Sequence, residues 1–164
     1  MKTVPITLAT FVLLFFASAV FAAPDAKTSF ASLKSLTGAW EGKTSDGKPV
    51  QVSYRVTAGG SALMSEIQGM HENMITMFHL DGDRLMMTHY CGAGNQSRMV
   101  ATTSPDGKVV AFDFLDATNL SSPEAGHMHR VVVTMVDADH HTEEWTFKSG
   151  DKETKEVFDL HRAK

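Results

Sequence analysis

Residues 78–99 read FHLDGDRLMMTHYCGAGNQSRM. Asp81-Gly82 can adopt the positive φ that a tight reversal needs, and apolar residues flank it on both sides, so the stretch is read as two antiparallel strands joined by a hairpin turn. The second strand runs into a polar cluster, His89-Tyr90-Cys91, followed by Gly92, Gly94, Asn95, Gln96 and Arg98. The cluster has the composition of a loop, yet it carries the only cysteine of the chain and several strong hydrogen-bonding groups. It is therefore the candidate site region.

Working outward, the same period of two recurs along most of the chain. Alternation and turn signals mark strands at Ala39–Thr44, Val50–Thr57, Ala62–Gln68, Glu72–Leu80, Arg84–Tyr90, Ser97–Thr103, Lys108–Asp116, His127–Val136, His140–Lys148 and Lys152–His161. Connections mostly of two to five residues force consecutive strands to pair antiparallel, because a parallel crossover needs a dozen or more. A meander of about ten strands leaves two open edges unless it closes. The expected fold is thus all-β, an up-and-down antiparallel barrel, with a two-sheet sandwich as the alternative. Before the first strand, Phe30, Leu33 and Leu36 recur at helical spacing. Thr28 or Ser29 is placed to cap them, so a short helix is expected over Ser29–Leu36, ended by Gly38.

The chain opens differently. Lys2 is followed by a mostly apolar run from Val4 to Phe21 and by small residues at Val20-Phe21-Ala22, the pattern of a secretory signal peptide cleaved after Ala22. An uncleaved membrane anchor is the competing reading of the same run. The expected organisation is a leader over residues 1–22 and one barrel domain over 23–164, secreted or periplasmic, with no membrane span once the leader is removed. Loss of Lys2 would reduce the basic side chains from 15 to 14 against 19 acidic ones, moving the net charge from −4 to −5. An acidic chain of this kind lacks the basic face that nucleic acid requires. Cys91 has no intrachain partner, so no internal disulfide is possible.

Side-chain parity assigns faces to the strands. His141, Glu143, Trp145 and Phe147 share one face, and the two aromatics argue that this face is the inner one. His140-His141 nevertheless adjoins a turn, where histidines are ordinarily solvated. His127 and His129 go with Val131, Val133 and Met135. Val110, Phe112 and Phe114 carry Asp116 inward, while Glu156, Phe158, Leu160 and Arg162 fall together. The inward face of Arg84–Tyr90 is undecided. These placements predict an apolar lumen with one polar end formed by His89 or Tyr90, Cys91, Asn95, Arg98, His127, His129 and Glu143, with Trp145 beside them.

Leu36-Thr37-Gly38-Ala39-Trp40 sets a Gly-x-Trp at the junction of the helix and the first strand, and Arg162 lies near the end of the last strand. This resembles the opening and closing of the calycin superfamily, the lipocalins and fatty-acid-binding proteins, with a strand number closer to the fatty-acid-binding and nitrobindin types. The resemblance implies that Arg162 packs over Trp40 and that Gly38, Trp40 and Arg162 are structural. Asp81-Gly82-Asp83, Thr88-His89-Tyr90-Cys91, Gly94-Asn95-Gln96 and His127-Met128-His129 together resemble a bacterial lipocalin-like family of the DUF1579 kind. That likeness spans Phe30 to Arg162 and implies a fold without an activity. Nitrobindin-type barrels bind haem through a histidine near the chain's end, which would correspond to His161.

The leading expectation is a protein that holds a small, largely apolar molecule in the lumen, oriented by His89, Tyr90, Cys91, Asn95, Arg98, His127, His129, Glu143 and Trp145. Two alternatives remain open. One is a hydrolase or isomerase in the same cavity using His129, His89 and Glu143, with or without a metal. The other is a structural envelope module with a filled core. No cofactor is favoured, Zn and haem being the candidates. His127-x-His129 and His89-x-Cys91 have spacings that would let His89, Cys91, His127 and His129 ligate Zn²⁺. Asn95-Gln96-Ser97 and Asn119-Leu120-Ser121 match the glycosylation sequon.

Overall fold

In a computed structural model of the chain, which describes residues 24–69 and 72–164, ten antiparallel strands close into a barrel behind one short helix. The leader expected over residues 1–22 lies outside the described residues. The helix α1 spans Ala26–Lys34, and the strands are β1 (Gly38–Thr44), β2 (Pro49–Thr57), β3 (Ala62–Gln68), β4 (Met74–Asp81), β5 (Arg84–Tyr90), β6 (Gln96–Thr103), β7 (Val109–Thr118), β8 (His127–Met135), β9 (His140–Ser149) and β10 (Lys152–Arg162). Each strand pairs with its neighbours in sequence. β1 closes the barrel against β10 from Trp40 opposite Arg162 to Thr44 opposite Phe158, so no edge is left open. In the quoted hairpin Asp81 pairs with Arg84, and Gly82 supplies the left-handed turn at φ 63°. Among the described residues no helix is long and apolar enough to cross a membrane.

The helix differs from the expected Ser29–Leu36. It begins one turn earlier because Asp25, rather than Thr28 or Ser29, caps it, its carboxylate accepting from the Thr28 amide at 2.7 Å. It plugs one end of the barrel: Phe30 and Leu33, with Leu36 just after the last turn, join the buried core, and Ser29 Oγ meets Thr103 Oγ at 2.8 Å. Trp40 Nε1 donates to the Leu36 carbonyl at 2.7 Å, and the Arg162 guanidinium lies 4.3 Å above the Trp40 ring. Arg162 also donates to the carbonyls of Ser35 and Thr37, just past the helix, and of Ala138 in the β8–β9 turn. Gly38 begins β1 at φ 129°, where a Cβ would lie 3.0 Å from Arg162 Nη1, so this corner favours glycine on both counts.

Two β-bulges overturn part of the parity reading. Between β6 and β7, Arg98 pairs with Asp116 but Met99 pairs with Phe114, leaving Leu115 unmatched. Asp116 therefore turns outward instead of following Phe112 inward, and its carboxylate receives both Nε and Nη2 of Arg98 at 2.5 Å. Between β8 and β9 the register shifts at Met128/Arg130, so Met128 lies opposite Phe147 and His127 opposite Lys148. An extra residue in one strand reverses every face beyond it. His127 is thereby moved to the face away from Trp145 and Glu143.

Candidate functional site

The lumen is not uniformly apolar. Five consecutive strands place inward residues directly opposite one another in one transverse row: Tyr54 on β2, Ser65 on β3, Thr76 on β4, His89 on β5 and Ser97 on β6. All five are buried. β9 faces this row with His141, Glu143 and Trp145, also buried.

Glu143, 1% exposed, is held by donors from three side chains. The Tyr54 hydroxyl donates to Oε1 across the barrel, from a strand three places away around the wall. His141 Nε2 meets the same oxygen at 3.3 Å, and Trp145 Nε1 donates to Oε2 at 2.8 Å. Burial, and after it the Glu143 carboxylate, push the Tyr54 phenol well above its ordinary value, so it acts as a donor throughout the physiological range. The edge of the His141 ring packs on Trp40 at 4.3 Å between centroids. This cluster ties β1, β2 and β9 together and leaves neither Glu143 oxygen empty.

The rest of the row is different. His89 Nδ1 shares a hydrogen bond of 2.9 Å with Thr76 Oγ, and the His89 ring lies 4.8 Å from that of Trp145. Burial lowers its pKa from 6.5 to about 4, so the imidazole is neutral at pH 7. Of six buried side-chain polar atoms without a partner among the described residues, three belong to this row: Ser65 Oγ, His89 Nε2 and Ser97 Oγ. A buried polar atom left unpaired costs about 1 to 3 kcal/mol, so three in one band are a concentrated cost to the fold.

One inward residue further along the strands, about 6.6 Å nearer the end opposite the helix, the wall becomes apolar. Met74 follows Thr76, Cys91 follows His89 and Phe147 follows Trp145. With Glu72, Gly92, Ala93 and Met128 these residues line an open pocket of about 350 Å³ at the barrel mouth. The Cys91–Asn95 turn that rims it is closed by Cys91 N donating to Asn95 O at 3.0 Å and Gly94 N donating to Cys91 O at 2.9 Å. Asn95 Nδ2 reaches across to Gly126 O at 2.8 Å and pins this turn to the β7–β8 loop.

Of the residues expected at the polar end, the structure brings His89, Glu143 and Trp145 into the lumen and sets Cys91 and Asn95 at its mouth. It does not bring in the others. Tyr90, 49% exposed, alternates outward from His89, and Arg98 is held outside by Asp116. His127 is turned away by the bulge and donates or accepts only locally, through Nδ1 to Ala125 O at 2.8 Å and Nε2 to His129 Nδ1 at 3.3 Å. Its ring and that of His129 pack on half-buried Phe114, at 4.5 and 5.4 Å. Burial, then the charges of Lys148 and His127, hold the pKa of His129 below its ordinary value.

The quartet His89, Cys91, His127 and His129 does not assemble as a metal site: it is divided between the lumen, the mouth and a separate packing of buried His127 and half-buried His129 on Phe114, and its members do not form a ligand group among the described residues. His161 does not reach the lumen either, because β10 turns Leu160 inward and leaves His161 exposed. The position that the nitrobindin resemblance offered to haem thus lies on the outside of the wall. Buried Asn95 is likewise poorly placed as a glycan acceptor, whereas Asn119 is exposed. Tyr54, Ser65, Thr76, Ser97 and His141 were not anticipated as site residues. The signal for His141 was present in the parity of β9, which groups it with Glu143 and Trp145; its position beside a turn outweighed that signal.

The chain matches no model of a known protein family and no curated protein. What the fold and the site define is a closed ten-stranded antiparallel barrel, plugged by a helix at one end, with a polar belt beneath an apolar mouth.

Proposed function

We propose that this protein binds a small, neutral, largely apolar molecule carrying one hydrogen-bonding head. The apolar part would rest on Met74, Cys91, Met128 and Phe147 at the mouth, and the head would meet His89 Nε2 and Ser97 Oγ one layer below. The single observation that carries this reading is the coincidence of two unpaired buried polar atoms, His89 Nε2 and Ser97 Oγ, with an apolar mouth one inward residue away. A few placed polar groups under an apolar lining is the usual composition of a small-molecule site. The calycin resemblance of Gly38, Trp40 and Arg162 agrees with it, and the leader-like segment to Ala22 suggests a secreted or periplasmic carrier.

Charge narrows the class of ligand. Among the described residues, the buried polar ones include the carboxylate of Glu143 but no lysine or arginine. An anionic head group would enter a low-dielectric space with no cation to receive it, so alcohols, aldehydes and ketones suit the belt and carboxylates do not. Binding without turnover is favoured over acid/base chemistry because both Glu143 oxygens are already occupied.

The test is a titration with a ten-carbon primary alcohol and the matching carboxylate, read through tryptophan emission, since Trp145 adjoins His89. The alcohol should bind in the micromolar to millimolar range, the carboxylate at least tenfold more weakly, and Ser97→Ala should weaken the alcohol. Equal affinity for both, or none for either, would remove the proposal and leave the filled-core structural module. That second reading has its own support in the helix-side half of the lumen, where Trp40, Leu63, Phe78, Met87 and Phe112 are packed with virtually no exposure.

A further inference from the structure

The outer wall carries a second constellation, independent of the lumen. His140 on β9 and His161 on β10 are direct cross-strand partners, and their rings stack 4.3 Å apart at an interplanar angle of 17°. Asp159 stands two residues before His161 and so projects from the same face. Its Oδ1 lies 2.7 Å from His140 Nε2 and 3.8 Å from His161 Nε2. One ligand atom from each of the three residues falls within 4.8 Å of the other two, the one such grouping of three or more His, Cys, Asp or Glu among the described residues. With Asp137, Ala138 and Asp139 of the preceding turn, the two histidines line a shallow depression of about 470 Å³.

We propose that His140, Asp159 and His161 form a surface site for a divalent transition-metal ion of the Zn²⁺ class. Two imidazole nitrogens and one carboxylate oxygen are a donor set that Zn²⁺ and Cu²⁺ accept and that Ca²⁺ and Mg²⁺, which prefer all-oxygen shells, do not. Around a tetrahedral Zn²⁺ with bonds near 2.0 to 2.2 Å, ligand atoms stand roughly 3.3 Å from one another. The separations here of 2.7 and 3.8 Å bracket that value. The remaining adjustment falls on side chains: Asp159 and His161 are exposed, and small rotations unstack the rings so that both nitrogens aim at one point.

The backbone needs no change, because the β9–β10 ladder holds the three Cα positions in register from Lys152 to His161. The depression is open on its outer side, so water would fill the fourth coordination position. The local field favours a cation. Asp137 at the rim and Glu41, the cross-strand partner of His161, add negative charge against the single cation of Lys43 opposite Asp159, while the nearby Arg162 is engaged by Asp139 at 3.2 Å and by three carbonyls. An ion here would clip the last two strands together beside the Trp40–Arg162 corner where the barrel closes.

The experiment is calorimetric titration of the chain, prepared without a polyhistidine tag, with ZnCl₂, alongside thermal unfolding with and without the metal. One Zn²⁺ per chain is expected, with a midpoint raised by roughly 5 to 10 °C at a hundredfold excess over Kd. His161→Ala and Asp159→Asn, both at exposed positions, should each weaken binding at least tenfold and abolish most of the thermal shift, while leaving the unliganded midpoint nearly unchanged. His127→Ala serves as the control, since His127 and His129 are the other close histidine pair. Absence of binding, unchanged affinity in His161→Ala, or a loss that follows His127→Ala instead would each overturn the proposal.

Discussion

Glu143 and His89 occupy opposite walls of the same lumen and solve the problem of a buried polar group in opposite ways. Glu143 receives Tyr54, His141 and Trp145, and its charge is spread over a network that spans the barrel. His89 has one partner, Thr76, while its other nitrogen and the neighbouring Ser97 hydroxyl have none. A network that satisfies its carboxylate holds strands together, whereas one left open costs the fold the desolvation of its unpaired atoms. The contrast separates a closed polar cluster from one with unpaired atoms inside a single barrel.

The largest expected effect lies on the satisfied side. Glu143→Leu strands the Tyr54 hydroxyl, the Trp145 indole N–H and His141 without their common acceptor. It should lower stability by about 3 to 5 kcal/mol, the sum of stranding three buried donors at about 1 to 3 kcal/mol each less the gain from no longer burying a carboxylate. Urea denaturation measures this directly, and a loss below ~1 kcal/mol would mean that the cluster is not what ties β2 to β9.

Next comes the pH response of His89. Its folded pKa of about 4 lies below the 6.5 of the unfolded chain, so the unfolded state takes up a proton first as the pH falls. Its contribution is fully present above pH 6.5, declines between 6.5 and 4, and is flat below; the span is about 3 kcal/mol. Between pH 7 and pH 4.5 wild type should lose about 2.4 kcal/mol more unfolding free energy than His89→Leu, read from denaturation curves of both proteins at the two pH values. Parallel pH dependence in the two proteins would place His89 in contact with water.

The smallest effect is the most discriminating. Ser97→Ala removes an unpaired buried hydroxyl, so it should leave stability unchanged or raise it by up to ~1 kcal/mol while weakening the alcohol probe. A clear destabilisation would show that Ser97 already has a partner, such as a fixed water, and would move it to the Glu143 side of the comparison.

The strand order was legible because period-two patterning and short turns leave a meander few other arrangements. Ala62–Gln68 and Arg84–Tyr90 are found with the boundaries that pattern predicts, and closure follows from the need to bury two edges. The candidate site was legible only where parity ran undisturbed. Along β9 it placed Glu143 and Trp145 inside. It failed for Asp116 and His127 because each lies beyond a bulge, and a one-residue insertion in a ladder leaves no mark in a hydrophobic pattern. Between His89 and Tyr90 the pattern leaves the choice open, because Leu85 and Met87 on one face are matched by Met86 on the other; closure of the barrel turns His89 inward and Tyr90 out.

The amino-acid sequence by itself determined the secondary-structure period, the number of strands, their antiparallel pairing and the helix that precedes them, since these depend on local alternation and on the length of each connection. Tertiary structure alone decided which polar side chains meet. The Tyr54–Glu143 bond joins residues 89 positions apart across the lumen, and the His140–Asp159–His161 cluster depends on the register between two strands. Both arise from the closure and stagger of the barrel, a geometric property of all ten strands together that no single stretch encodes.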